Sequence, residues 1–95
     1  MSELSPKERL YWLMELLIRK EIETSKFCDE FYQTYEHDLN EDLSDIEKTL
    51  FMEISHKGSR FSEFHEDHLQ YPGVYVTDLD IRSLVLDSWT KLKGR

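Results

Sequence analysis

Residues 5–20 read SPKERLYWLMELLIRK, and this stretch decides the fold class. Ser5-Pro6-Lys7-Glu8 is a capping box with proline at the first helical position: a hydroxyl acceptor, a fixed φ and a carboxylate that reaches back. Leu10, Leu13, Met14 and Leu17 then recur at helical spacing, and Tyr11, Trp12, Leu16 and Ile18 widen the apolar face. Arg19 and Lys20 suit the negative end of the helix dipole. The pattern predicts a first helix over 6–20.

The same logic extends along the chain. Thr24 or Ser25 caps a second helix whose stripe is Phe27, Phe31 and Tyr35, with Cys28 and Tyr32 beside it; the helix fades over His37–Asn40 into a polar loop. Ser44-Asp45-Ile46-Glu47 is a second capping box. Ile46, Leu50, Phe51, Ile54, Gly58 and Phe61 continue at near-helical spacing and predict a third helix over 45–62. Gly58, which costs about 1 kcal/mol against alanine inside a helix, marks either a close helix–helix approach or a break. Residues 65–76 contain Pro72-Gly73 and read as a long loop. Within it Val74-Tyr75-Val76 looks strand-like but has no partner strand. Thr77 caps a last helix carrying Ile81, Leu84, Val85, Ser88, Trp89 and Leu92, with Asp78 and Asp80 at its positive end and Lys91, Lys93 and Arg95 at its negative end. The expected fold is all-α: an antiparallel four-helix bundle with a long loop between the third and fourth helices. Trp89 is expected to be buried on the last helix's stripe.

Length and composition bound what such a fold does. Ninety-five residues and 11.5 kDa make one domain, spanning 1–95. Twenty acidic against twelve basic residues give a net charge of −8, which argues against binding nucleic acid through a basic face. With 39% hydrophobic and 13% aromatic residues the chain is too apolar for an acidic disordered tail. One cysteine, Cys28, excludes an internal disulfide framework and suits a reducing compartment. There is no run of apolar residues long enough to span a membrane and no signal-peptide core, so a cytoplasmic protein is expected.

The charge is concentrated. Between Asp29 and Asp80 fourteen acidic residues face three basic ones, a net charge of −11, while the rest of the chain carries +3. Asp45, Glu47, Asp78 and Asp80 occupy first turns of helices and are explained by capping. Asp29, Glu30, Glu36, Asp38, Glu41, Asp42, Glu53, Glu63, Glu66 and Asp67 have no such reason. A field of this sign speeds association with a basic partner, and interleaved tyrosines such as Tyr32, Tyr35, Tyr71 and Tyr75 are of the type favoured at interface hot spots.

Chemistry is less well supported. His65-Glu66-Asp67-His68 has too few companion ligands at motif spacing for zinc and reads as a solvated polar segment. Cys28 beside an apolar stripe reads as a buried thiol rather than a nucleophile. Arg60 reads as a structural residue near the end of the third helix. There is no nucleophile elbow and no glycine-rich phosphate loop. No enzymatic activity, metal or cofactor is expected.

Phe27-Cys28-Asp29-Glu30-Phe31-Tyr32, followed by Arg60-Phe61-Ser62, Glu66-Asp67, Tyr71-Pro72-Gly73-Val74-Tyr75 and an acid-rich helix start at Thr77, resembles the colicin-D-like bacterial immunity proteins, including relatives paired with contact-dependent growth inhibition toxins. The matching parts cover roughly residues 24–85. The resemblance implies a four-helix bundle that binds a cognate nuclease toxin, often one that cleaves transfer RNA, and blocks its active site with acidic side chains standing in for phosphates. It implies functional carboxylates around Arg60-Phe61, here Glu53, Glu63, Glu66 and Asp67. Glu30, Glu36 and Asp38 on the second helix, and Tyr71, complete the expected toxin-binding set. The partner would be the basic toxin domain, in a 1:1 complex, with no nucleic acid or membrane bound directly. A different reading of the same charge is an acidic adaptor, or a nucleic-acid-mimic regulator of another basic protein.

Overall fold

The computed structural model describes residues 4–39, 42–62, 64–71, 73 and 75–93; of Asp38, His65 and Asp67 it describes the backbone alone. Pro72, Val74 and Arg95, each given a role above, lie outside the described residues. The fold is all-α. The helices are α1 (Pro6–Ile18), α2 (Thr24–Gln33), α3 (Asp45–Gly58), α4 (His65–Gln70) and α5 (Asp78–Lys93), and α2 runs on into a π-helical turn, Thr34–Asp38.

Three helices start where their caps dictate. Ser5 Oγ accepts from the Glu8 amide at 3.2 Å while the Glu8 carboxylate accepts from the Ser5 amide at 3.1 Å. Ser44 and Glu47 repeat the exchange at 3.2 and 2.9 Å, and Thr77 and Asp80 at 3.1 and 3.2 Å. Each box satisfies two amides that a helix start leaves unpaired. The second helix departs from expectation. Its cap position is Glu23, with no side-chain cap bond, and Thr24 is buried, its hydroxyl donating to the Asp78 carboxylate. Thr24 therefore joins α2 to α5 rather than capping α2.

The helix ends were less legible. α1 stops at Ile18, two residues short of the expected end, because Lys20 takes φ +63°. The Lys20 amide then reaches Leu17 O at 3.0 Å and the Glu21 amide Leu16 O at 2.8 Å, the paired closure usually made with glycine at the left-handed position. α3 ends at Gly58 rather than at residue 62. The chain turns through Ser59 and Arg60, and Phe61 forms a parallel β-bridge with Val76. Val76 N donates to Arg60 O at 2.8 Å and Ser62 N to Val76 O at 3.2 Å. The strand-like run thus has a partner after all, in residues that periodicity had assigned to a helix. Both readings of Gly58 hold. It is the last helical residue, and a Cβ built on it would lie 3.5 Å from Cys28 Cβ and Sγ, so α2 and α3 approach closely there. The expected long loop contains α4, whose six residues interrupt it.

The buried stripes are those of the sequence: Leu10, Leu13, Met14 and Leu17 on α1; Phe27, Cys28 and Phe31 on α2; Leu50, Phe51 and Ile54 on α3; Ile81 and Val85 on α5. α1 packs on α2 and α5, and α3 packs on the same two helices. The Tyr11, Phe31 and Phe51 rings meet edge to face in the middle, at centroid distances of 5.4 and 5.9 Å. Each fully buried phenylalanine contributes roughly 1.5–3 kcal/mol. Trp89 is half-buried rather than buried, its ring 6.3 Å from Tyr11, with Lys93 Nζ 5.2 Å from the indole. No helix of the described residues is long and apolar enough to cross a membrane.

Candidate functional site

The acidic residues divide according to what surrounds them. Glu47 is buried. It accepts from the Tyr11 hydroxyl at 2.5 Å and the Ser44 amide at 2.9 Å, and its carboxylate lies 3.3 Å from Lys7 Nζ. Burial pushes this carboxyl up, but the three donors outweigh burial and hold it below the usual carboxylate range. Asp78 is held low by the Thr24 hydroxyl, against a smaller opposing effect of burial, and by Arg82 at 3.0 Å. Glu30, for which the sequence offered no structural reason, pairs with Arg9 at 3.0 Å across the α1–α2 interface. Glu30 is therefore an inter-helix contact, and its carboxylate is already occupied.

Of the other expected binding residues, Glu36 is exposed on the π-helical turn, Glu53 is exposed on α3, and Glu66 is exposed on α4. Glu53 shares a groove of about 380 Å³ with His56, Lys57 and Arg60, so its charge is offset by basic neighbours. Glu63 lies outside the described residues, and so do the side chains of Asp38 and Asp67. Tyr71 is 53% exposed, its ring packed 6.2 Å from Tyr75, which in turn lies 6.3 Å from the His68 ring. His68 Nε2 donates to Ser62 O at 2.9 Å and thereby ties α4 to the β-bridge. Arg60 donates to Gly73 O at 3.4 Å, the structural role expected of it. Phe64 and Leu69, at either end of α4, are each 65% exposed. The segment 64–71 thus presents apolar and aromatic side chains next to Glu66. Exposed aromatic side chains of that type are enriched in protein contact faces.

A groove of about 550 Å³ runs between α2 and the end of α3. Ser25, Cys28, Asp29, Tyr32 and Gln33 line one wall, and Gly58, Ser59 and Phe61 line the other. A second groove, of about 510 Å³, shares Ser25 and Phe61 with it and continues past Ser62 and His68 to Thr77 and Asp78. The two grooves lie side by side, and the second reaches His68 of the α4 segment. Asp29, an acid without a capping reason, and Tyr32, a tyrosine of the interface type, were both singled out in the sequence but were not placed in the expected toxin-binding set. Their signal was positional: residues 25, 28, 29, 32 and 33 share one face of a helix, opposite a glycine 29 residues along the chain from Asp29. Cys28 at the base of the groove is buried, and burial pushes its thiol up to about 12, so it is neutral and inert there. Among the described residues no group of three or more His, Cys, Asp or Glu side chains is placed to hold a metal ion. A comparison with known protein families, curated proteins and solved structures finds no match.

Proposed function

We propose that this chain is an immunity-type inhibitor that binds a basic nuclease toxin domain, in the first instance a transfer-RNA-cleaving one, and covers its active site with an acidic face. The observation that carries this reading is a coincidence of two properties in one part of the chain. Residues 29–80 hold the net charge of −11. They also hold six of the nine large hydrophobic side chains left exposed among the described residues: Tyr32, Met52, Phe64, Leu69, Tyr71 and Leu79. Charge alone suits solubility; charge interleaved with exposed apolar and aromatic groups suits a protein contact. The contact is centred on the α4 segment, with Glu63, Glu66, Asp67 and Tyr71, and extends to Glu53 and to Glu36 and Asp38. The chain itself performs no chemistry and needs no cofactor.

The scaffold for this face is read as an antiparallel four-helix bundle of α1, α2, α3 and α5, with α4 carried in the connection before the last helix. The packing of α1 and α3 each on both α2 and α5 supports that arrangement. Function in the cytoplasm, where such a toxin meets its RNA, belongs to the same reading. The acidic-adaptor alternative predicts the same surface and differs only in its partner.

Co-purification of this chain with the product of the gene directly upstream, and assay of that product for transfer-RNA cleavage, tests the proposal. A stable 1:1 complex in which transfer-RNA cleavage is abolished is the expected result. A toxin that cleaves at full rate in the presence of excess folded chain overturns it.

A further inference from the structure

The groove between α2 and α3 differs from its neighbours in charge. The α3 groove that holds Glu53 also holds Lys57, Arg60 and His56. In the groove that runs to α5, Asp78 is already bonded to Arg82. Among the described residues the α2–α3 groove is lined by one carboxylate, Asp29, and by no basic side chain. Asp29 is exposed and makes no hydrogen bond or ion pair among the described residues. Tyr32 follows it by three positions and is a neighbour on the helix surface, with Cβ atoms roughly 5–6 Å apart. The Tyr32 ring is braced edge to face against His37 at 6.2 Å, leaving it at the mouth of the groove. The far wall is the C-terminal end of α3, where the helix dipole is negative. Gly58 has no side chain to fill the space beside Cys28.

The carboxylate and the aromatic ring favour a cation, and with the surrounding acceptors they favour a planar one with several donors. The Asp29 carboxylate, the Tyr32 ring, the Gln33 amide oxygen and the Ser25 and Ser59 hydroxyls offer acceptors on several sides. That suits the five donors of a guanidinium better than the compact ammonium of lysine. We infer that the α2–α3 groove receives an arginine side chain of the protein partner, with Asp29 as its counter-ion and Tyr32 as the ring it packs against. This deepens the proposed function and rests on the partner being a basic protein; it adds an anchoring point on α2, beside the groove that reaches the α4 segment.

The test is a titration of the isotope-labelled full chain with tri-arginine amide at low salt, followed residue by residue by NMR, with tri-lysine amide in comparison. Tri-arginine is expected to shift the amides of Ser25, Asp29, Tyr32, Gln33 and Ser59 most, and to bind more tightly than tri-lysine. Asp29→Asn keeps the shape of an exposed side chain and is expected to weaken tri-arginine binding by about tenfold. Tyr32→Leu is expected to weaken it severalfold, and Asp87→Asn on α5 by less than twofold. Shifts centred on α4, with Asp29→Asn binding as well as the wild type, overturn the arginine site while leaving a basic partner in place. Absence of tri-arginine binding also overturns the arginine site, whereas the basic partner itself stands or falls with the toxin complex.

Discussion

Glu47 belongs to three contacts at once. It completes the cap of α3, accepts from Tyr11 of α1 and pairs with Lys7. Burial first, and the neighbouring carboxylate next, hold the Tyr11 hydroxyl above its ordinary value of 10.0, so it stays a donor. Because the Glu47 carboxyl titrates below its ordinary 4.5, the unfolded chain binds more protons than the folded one just below that pH. The stability this group contributes is complete above about pH 4.5 and is lost as the pH falls through the folded value. Asp78 and Asp80, also held low, act with the same sign. The melting temperature should therefore hold from neutral pH to about 5 and fall below about 4.5. Glu47→Gln should cost about 1–3 kcal/mol at neutral pH and flatten that acid limb. Thermal melts across pH check both, and an acid limb identical in the variant would rule Glu47 out as its source. Ser88 is the opposite case, a fully buried hydroxyl with no hydrogen-bond partner among the described residues. Ser88→Ala should stabilise the fold by about 1 kcal/mol, read as a higher urea midpoint.

Two helix ends carry predictions of their own. α1 closes with Lys20 at φ +63°, a conformation that costs a residue with a Cβ roughly 1–2 kcal/mol. Lys20→Gly should relieve that strain and stabilise by about 0.5–1 kcal/mol, since the two closing hydrogen bonds come from backbone amides. A loss of stability would mean that the lysine side chain contributes more than its backbone costs. α3 ends at Gly58, which sits in the right-handed region, and a Cβ there would make ordinary contact with Cys28. Gly58→Ala should therefore stabilise by about 0.5–1 kcal/mol through helix propensity. Denaturant titration separates this from overpacking, which would lower the midpoint instead.

For the whole molecule the governing quantity is the charge of −11 within residues 29–80. Association with a basic partner should slow by at least tenfold between low salt and about 0.5 M, as the Debye length shortens to a few Å. Stopped-flow association at increasing salt measures this, and an on-rate independent of salt would remove steering from the account. Not all of that charge is available to a partner. Glu47, Glu30 and Asp78 are committed to Tyr11, Arg9, Thr24 and Arg82, so the effective face is smaller than the residue count implies.

What the sequence determined by itself was local. The caps at Ser5, Ser44 and Thr77 and the four apolar stripes follow from hydrogen-bond geometry and a period of 3.6 residues, and both act within a few positions along the chain. They were enough for an all-α class and most of the core. Tertiary structure decided whatever depended on residues distant in sequence. It turned Thr24 inward because Asp78, 54 residues away, offers it an acceptor. It ended α3 at Gly58, and Arg60 and Ser62 bond to Val76 in place of a further helical turn. It drew Glu30 into a pair with Arg9 and left Asp29, the adjacent residue, facing an open groove. Two neighbouring carboxylates on one helix point about 100° apart, and only the packing of α1 and α3 on either side of α2 distinguishes the structural one from the available one.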